Sequence, residues 1–218
     1  MLSDTRSAIL TAAERLYAAR GFADVTLRDI VAEANVNLAA VNYHFGSKDE
    51  LITELFVSRS LATNRERLNE LKAAEAAGGG RAPIDQVLRA LVGPTLRGCL
   101  GPDEQRSDAA RFMIRASVEA IAPIHKIRNR EIDHLRKFAA AMRRSLASVD
   151  EVEIYWGLHF ALAMAHQTIR DSERLQKLSE GRCDLDDVDG VIDRVVAVAA
   201  TALGAAAKAD KPAARRGR

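Results

Sequence analysis

The segment 35-NVNLAAVNYHFGSK-48 gathers three asparagines, a tyrosine, a histidine and a lysine within fourteen residues. Their common chemistry is hydrogen bonding rather than bond making. A phenol hydroxyl and an imidazole each donate to a phosphate oxygen, a lysine adds a point charge, and an asparagine amide matches the major-groove edge of adenine. The alternative for Tyr43 and His44 is a half-buried pair at a helix crossing. Elsewhere the residues of catalysis are sparse. The chain has no G-x-S-x-G, no glycine-rich phosphate loop and no Cys–His pair at catalytic spacing. Glu131 and His134 form one E-x-x-H, but a di-iron bundle needs two copies, so the spacing reads as a solvated helix face. His159 and His166 stand two helical turns apart, about 10.5 Å, too far to share one ion.

The elements that would hold residues 35–48 in place are legible from caps and periodicity. Ile9, Ala13, Leu16 and Tyr17 recur at helical spacing, and Gly21 can take the left-handed conformation that ends a helix. Thr26 and Asp29 form a capping-box pattern ahead of Leu27, Ile30, Val31 and Ala34, which predicts a second helix of about two turns. Asn35 suits a turn residue with positive φ, and Asn37 can cap a third helix over residues 38–45. Ser47 to Glu50 is another capping box, opening a fourth helix that runs towards residue 77. In this scheme Val36, Val41 and Phe45 turn inward. Leu38, Ala39, Asn42, Tyr43 and His44 turn outward, as in a helix-turn-helix whose second helix lies in the major groove.

The remainder also reads as helix. The loop 78-GGGRAP-83 precedes a helix over residues 84–100 bent near Pro94, and a polar loop follows over 101–108. Further helices are predicted over 109–122, 124–148, 150–178 and 186–206. No segment alternates with period two. The expected fold is therefore all-α: an N-terminal helix-turn-helix domain over 1–47, a larger helical domain over 48–207 joined to it by the fourth helix, and a disordered basic tail over 208–218.

Composition narrows the function classes. The 218 residues are 48% hydrophobic and 28% charged, the balance of a soluble globular protein. The apolar runs are too short to span a bilayer, and the N-terminus MLSDTRSAIL lacks the features of a secretory signal, so a cytoplasmic protein without a membrane partner is expected. Cys99 and Cys183 are far apart and indicate neither a disulfide framework nor a zinc knuckle. The net charge of +2 is carried by the tail, which holds five Lys/Arg against one Asp. Residues 1–50 hold five Lys/Arg and seven Asp/Glu, so DNA binding would rest on the placement of a few groups.

Gly21, Phe22, Thr26, Ile30, Ala34, Val36, Tyr43, Phe45, Lys48 and Leu51 stand at a spacing that resembles the TetR family of bacterial transcriptional repressors, over about residues 5–55. The resemblance implies that Thr26 holds a phosphate and that Arg28 reaches a base or phosphate. It also makes Asn37, Leu38, Ala39, Asn42, Tyr43, His44 and Lys48 the recognition surface. For Arg28 the competing role is a surface ion pair with Glu33 or Asp24. Two positions depart from the family's common pattern: Asn35 replaces a turn glycine, and Asn42 stands where an aromatic is frequent.

By the same resemblance the larger domain dimerises through its last two helices and binds a small-molecule effector, with no cofactor or metal. Met113, Arg115, Phe138, Met142, Trp156, His159, Phe160 and Met164 are the candidate pocket. The segments 37-NLAAVNYHFGSK-48 and 154-IYWGLHFALA-163 are similar to the fatty-acid-responsive branch, which suggests an apolar or acyl effector. A homodimeric repressor on a near-palindromic operator is the leading expectation. A helical adaptor or ligand-sequestering protein without operator binding is the alternative, and a helical metal-dependent enzyme ranks last.

Overall fold

The computed structural model describes residues 2–101 and 106–209, all of whose regular structure is helical. The order is α1 (Leu2–Arg20), α2 (Leu27–Glu33), α3 (Leu38–Phe45), α4 (Lys48–Ala77), α5 (Ile84–Cys99), α6 (Asp108–Val118), α7 (Ala122–Arg130), α8 (Asp133–Ser145), α9 (Glu151–Arg170), α10 (Ser172–Leu178) and α11 (Val188–Ala209). The predicted tail lies, from residue 210 onward, outside the described residues, as do residues 102–105 of the polar loop.

The chain forms two compact units, residues 1–63 with 98–132 and residues 64–97 with 133–218. The physical reason lies in the first unit's core. Ile9, Ala13 and Tyr17 of α1, Ile30 of α2, Val41 and Phe45 of α3 and Leu51 and Leu55 of α4 are buried in one cluster with Phe112 and Ala116 of α6 and Ile124 and Ile127 of α7. Tyr17 and Phe22 stack at 4.9 Å between ring centroids, and Phe112 leans on Phe22 at 5.4 Å. Burying one side chain of this size stabilises by roughly 1.5–3 kcal/mol, so α1 to α4 without residues 112–127 would forfeit several such contributions.

In the second unit α9 lies between α8 and α11. Phe138, Met142, Ile154, Ala161, Ile192 and Leu203 are buried here. Gly157 permits the close approach of α9 to α11, because a Cβ at that position would stand 2.4 Å from Leu203 Cδ2. Pro94 falls inside α5, as expected.

Two long helices predicted from periodicity are broken. The stretch 124–148 splits into α7 and α8, with Glu131 at φ −88°, ψ 74°, outside helical values. Glu131 and His134 therefore do not share a helix face, and the solvated-face reading of that motif is corrected. The stretch 150–178 splits at Asp171, at φ −111° and ψ 23°, whose carboxylate accepts from both Gln167 and Arg174. Apolar spacing survives both breaks, which is why periodicity alone runs through them.

Candidate nucleic-acid interface

The site is built by caps. Thr26 caps α2, with its Oγ1 accepting from the Asp29 amide at 3.2 Å, while the Asp29 carboxylate accepts from the Thr26 amide at 2.8 Å and its hydroxyl at 2.6 Å. These bonds to Thr26, side chain first, hold the Asp29 carboxyl below the usual carboxylate range. The Thr26 hydroxyl proton thus has a partner within the chain. Arg28 is exposed on the same helix and forms no ion pair among the described residues. Of its expected partners, Glu33 pairs instead with Arg15.

The turn into α3 uses Asn35 at φ 51°, a conformation asparagine tolerates better than most residues. The Val36 amide donates to the Val31 carbonyl at 3.0 Å, closing the turn, and Asn37 Oδ1 accepts from the Ala40 amide at 2.9 Å, starting the helix. Val41 is fully buried and Phe45 nearly so, which fixes the rotation of α3. Asn42, Ala39 and Leu38 consequently face out, and Tyr43 is 77% exposed. His44 is half-buried, its ring edge-on to Tyr43 at 5.1 Å. A broad open depression of about 750 Å³ runs beside α3, lined by Thr5, Asn35, Val36, Asn37, Ala39, Ala40, Tyr43 and His44.

Lys48 behaves differently from a free phosphate contact. Its Nζ donates to the Phe22 carbonyl at 2.8 Å and stands 5.9 Å above the Tyr17 ring. The Phe22 amide in turn donates to Glu119 Oε2 at 3.0 Å, and Arg115 donates to the Ala18 carbonyl at 2.8 Å and the Ala19 carbonyl at 3.1 Å. Glu119 escapes sequence reasoning because its partner lies 97 residues away and no local pattern marks it.

The eight candidate pocket residues divide between the two units. Met113 and Arg115 belong to the first unit, where Met113 rests against its core and Arg115 caps the end of α1. Phe138 and Met142 are fully buried in the second unit. Trp156, His159 and Phe160 lie on an outward face of α9, with Trp156 and Phe160 stacked at 5.4 Å, and Met164 is half-buried. Apolar residue type alone did not separate interior, headpiece and outer face.

Family models match both parts of the chain. Residues 9–55 match the model described as bacterial regulatory proteins of the tetR family, and residues 89–202, more than half the chain, match the tetracyclin repressor-like C-terminal domain. The chain belongs to the TetR family. Among curated relatives, the HTH-type transcriptional repressor Rv3405c of Mycobacterium tuberculosis is 39% identical over 88 residues, 40% of this chain and 41% of that protein. The HTH-type transcriptional regulator TtgR of Pseudomonas putida is 44% identical over 55 residues, 25% of this chain and 26% of that protein. The chain thus covers about two fifths or less of the length of these relatives.

Solved TetR-family structures share the fold over nearly the whole chain. A regulator from Marinobacter aquaeolei superposes with TM-score 0.61 at 16% identity, covering 92% of this chain and 96% of that one. NalD, described as the secondary repressor of the MexAB-OprM multidrug efflux pump in Pseudomonas aeruginosa, gives TM-score 0.60 at 19% identity, covering 93% and 96%. The all-α architecture expected from sequence, a helix-turn-helix headpiece followed by a helical TetR-type domain, is the observed one. The TetR family is one of transcriptional regulators, and no helix among the described residues is long and apolar enough to cross a membrane.

Proposed function

We propose that the protein is a cytoplasmic homodimeric repressor that binds a near-palindromic DNA operator through residues 26–48 and is released by a small-molecule effector. The observation that carries this reading is the outward set on α3: Leu38, Ala39, Asn42 and Tyr43 are exposed while Val41 and Phe45 anchor the opposite face in the core. Four exposed side chains on one short buried-backed helix suit the major groove. Arg28 and Asn37 flank them, and Thr26 with His44 completes the surface. Lys48 sets the start of α4.

Dimerisation through α9 and α11 is supported by an apolar outer face. Val152, Tyr155, Trp156 and Phe160 on α9 and Val198 on α11 are each more than half exposed. A self-complementary patch of this kind buries well against its own copy. Two recognition helices would then lie one DNA turn apart, roughly 34–36 Å. An apolar or acyl effector, as in the fatty-acid-responsive branch, is supported by the Phe138 and Met142 interior, and the effector acts by preferring a state whose half-site spacing is wrong for the operator. α4, which starts beside α3 and continues into the second unit, is the lever.

The test is selection of bound duplexes from a random-sequence library with wild type and Tyr43→Ala in parallel. A palindrome recovered by wild type and lost by the variant is the expected result. Asn42→Ala should relax the preference at one base pair, whereas Tyr43→Ala lowers affinity for all sequences alike. Equal and negligible effects of both changes would remove α3 from the groove.

A further inference from the structure

The first unit poses a question of charge. Its helix-turn-helix segment carries more acids than bases, and most of its cations are spent within the protein. Arg6 pairs with Glu54, Arg15 with Glu33, Arg20 with Asp29, Arg59 with Glu14, Arg115 with Glu119 and Arg130 with Glu131, and Lys48 donates to the Phe22 carbonyl. Among the described residues of this unit, the cations left without a hydrogen bond or ion pair are Arg28 on α2 and Lys126 and Arg128 on α7. Two of these three lie outside the helix-turn-helix.

α7 is held to the headpiece by its apolar side. Ile124 and Ile127, three residues apart and so on one face, are 1% and 8% exposed within the cluster that also buries Val41 and Phe45 of α3. The helix follows α6 closely: the Ile121 amide at its N-cap donates to the carbonyl of Glu119, the C-cap of α6, at 3.0 Å, and the His125 amide closes its own first turn on the Ile121 carbonyl at 3.1 Å. Its remaining faces carry His125, Lys126, Arg128 and Arg130, all exposed. The nearest acid in sequence, Glu131, is already taken by Arg130. A short helix seated on the first unit's core by two isoleucines, and bearing outside two cations without a partner among the described residues, has one complementary partner chemistry here, a polyanion.

We infer that α7 is a second DNA-contacting element, whose Lys126 and Arg128 neutralise backbone phosphates beside the half-site engaged by α3. The inference rests on the operator-binding reading above and deepens it. Phosphate contacts of this kind fix orientation and supply affinity without reading sequence. They also offset the acidic balance of residues 1–50, since the charge needed for DNA is delivered by residues far along the chain.

The experiment compares wild type, Lys126→Gln/Arg128→Gln and a control, Lys72→Gln/Lys137→Gln, which removes the same charge from exposed positions of the second unit. Binding of the duplex recovered by selection, and of a random-sequence duplex, is measured across a salt series, with circular dichroism and thermal melting to establish that each variant is folded. The expected result is a slope of log K against log[salt] shallower by about 1.8 per protomer in the α7 variant, with the selected motif unchanged and the control slope at the wild-type value. A wild-type slope in the folded α7 variant overturns the inference and leaves operator binding standing. Equal losses in the α7 variant and the control overturn it too, because the effect is then one of net charge. Failure of wild type to bind either duplex at any salt overturns the operator reading and this one with it.

Discussion

The Phe22 backbone is held on both sides of its Cα: its carbonyl accepts from Lys48 at 2.8 Å, and its amide donates to Glu119 at 3.0 Å. One residue's backbone thereby joins the start of α4, the loop after α1 and the C-cap of α6. Lys48→Met removes the charged donor and should cost about 1–2 kcal/mol of stability in urea unfolding, the range of a half-buried charge-assisted bond. Because Nζ already has a partner, the salt slope of duplex binding should stay at its wild-type value. A slope shallower by about 0.9 would instead assign Lys48 to a phosphate.

The second grip on α4 is Glu14, 7% exposed, which receives two bonds from Arg59 at 2.5 Å each. Arg59→Ala strands that carboxylate. The expected loss is about 2–4 kcal/mol, below the full cost of breaking a buried pair because water reaches the Arg59 side. The double change Glu14→Met/Arg59→Met should recover most of it, and a double-mutant cycle by urea denaturation measures the difference.

Tyr17 is wholly buried, and its hydroxyl has no hydrogen-bond partner among the described residues. Burial first, and the Asp49 charge second, push the phenol well above its ordinary value. The folded chain therefore keeps this proton while the unfolded chain sheds it near pH 10 or so, and stability falls as pH rises above about 10. Tyr17→Phe should stabilise by about 1 kcal/mol at neutral pH and soften that alkaline loss. Urea midpoints at neutral and alkaline pH check both, and a less stable variant at neutral pH would mean that a water satisfies the hydroxyl.

On α9, Trp156 and Phe160 are both 51% exposed and stack on each other. Trp156→Glu/Phe160→Glu places two carboxylates on the face proposed for self-association. Sedimentation should then report a monomer where wild type is a dimer, and the concentration dependence of the melting temperature should vanish. An unchanged sedimentation coefficient would move the dimer interface off this face.

The local parts of the headpiece were legible in the sequence because they depend on residues three or four apart. The Thr26 and Asn37 caps, the positive φ of Asn35 and the inward set of Val41 and Phe45 all follow from caps and helical period. What the sequence hid depends on distant partners. Nothing near Glu119 announces a bond to Phe22, and the breaks at Glu131 and Asp171 interrupt the backbone without interrupting the apolar spacing. The burial of a methionine or aromatic was the least legible, since at helical spacing it looks the same in a core, as Phe138 does, on an outer face, as Trp156 does, or against the headpiece, as Met113 does.

Closing the first unit's core with Phe112, Ala116, Ile124 and Ile127 has a consequence for synthesis. A ribosome delivers α1 to α4 first, yet the part of their apolar surface covered by residues 112–127 stays open until more than half of the chain has emerged. Contacts separated by a hundred residues carry a loop-closure cost and delay folding, and the waiting helices present sticky surface meanwhile. The headpiece core is thus completed only when synthesis has passed α7, so the order of synthesis and the order of core closure differ.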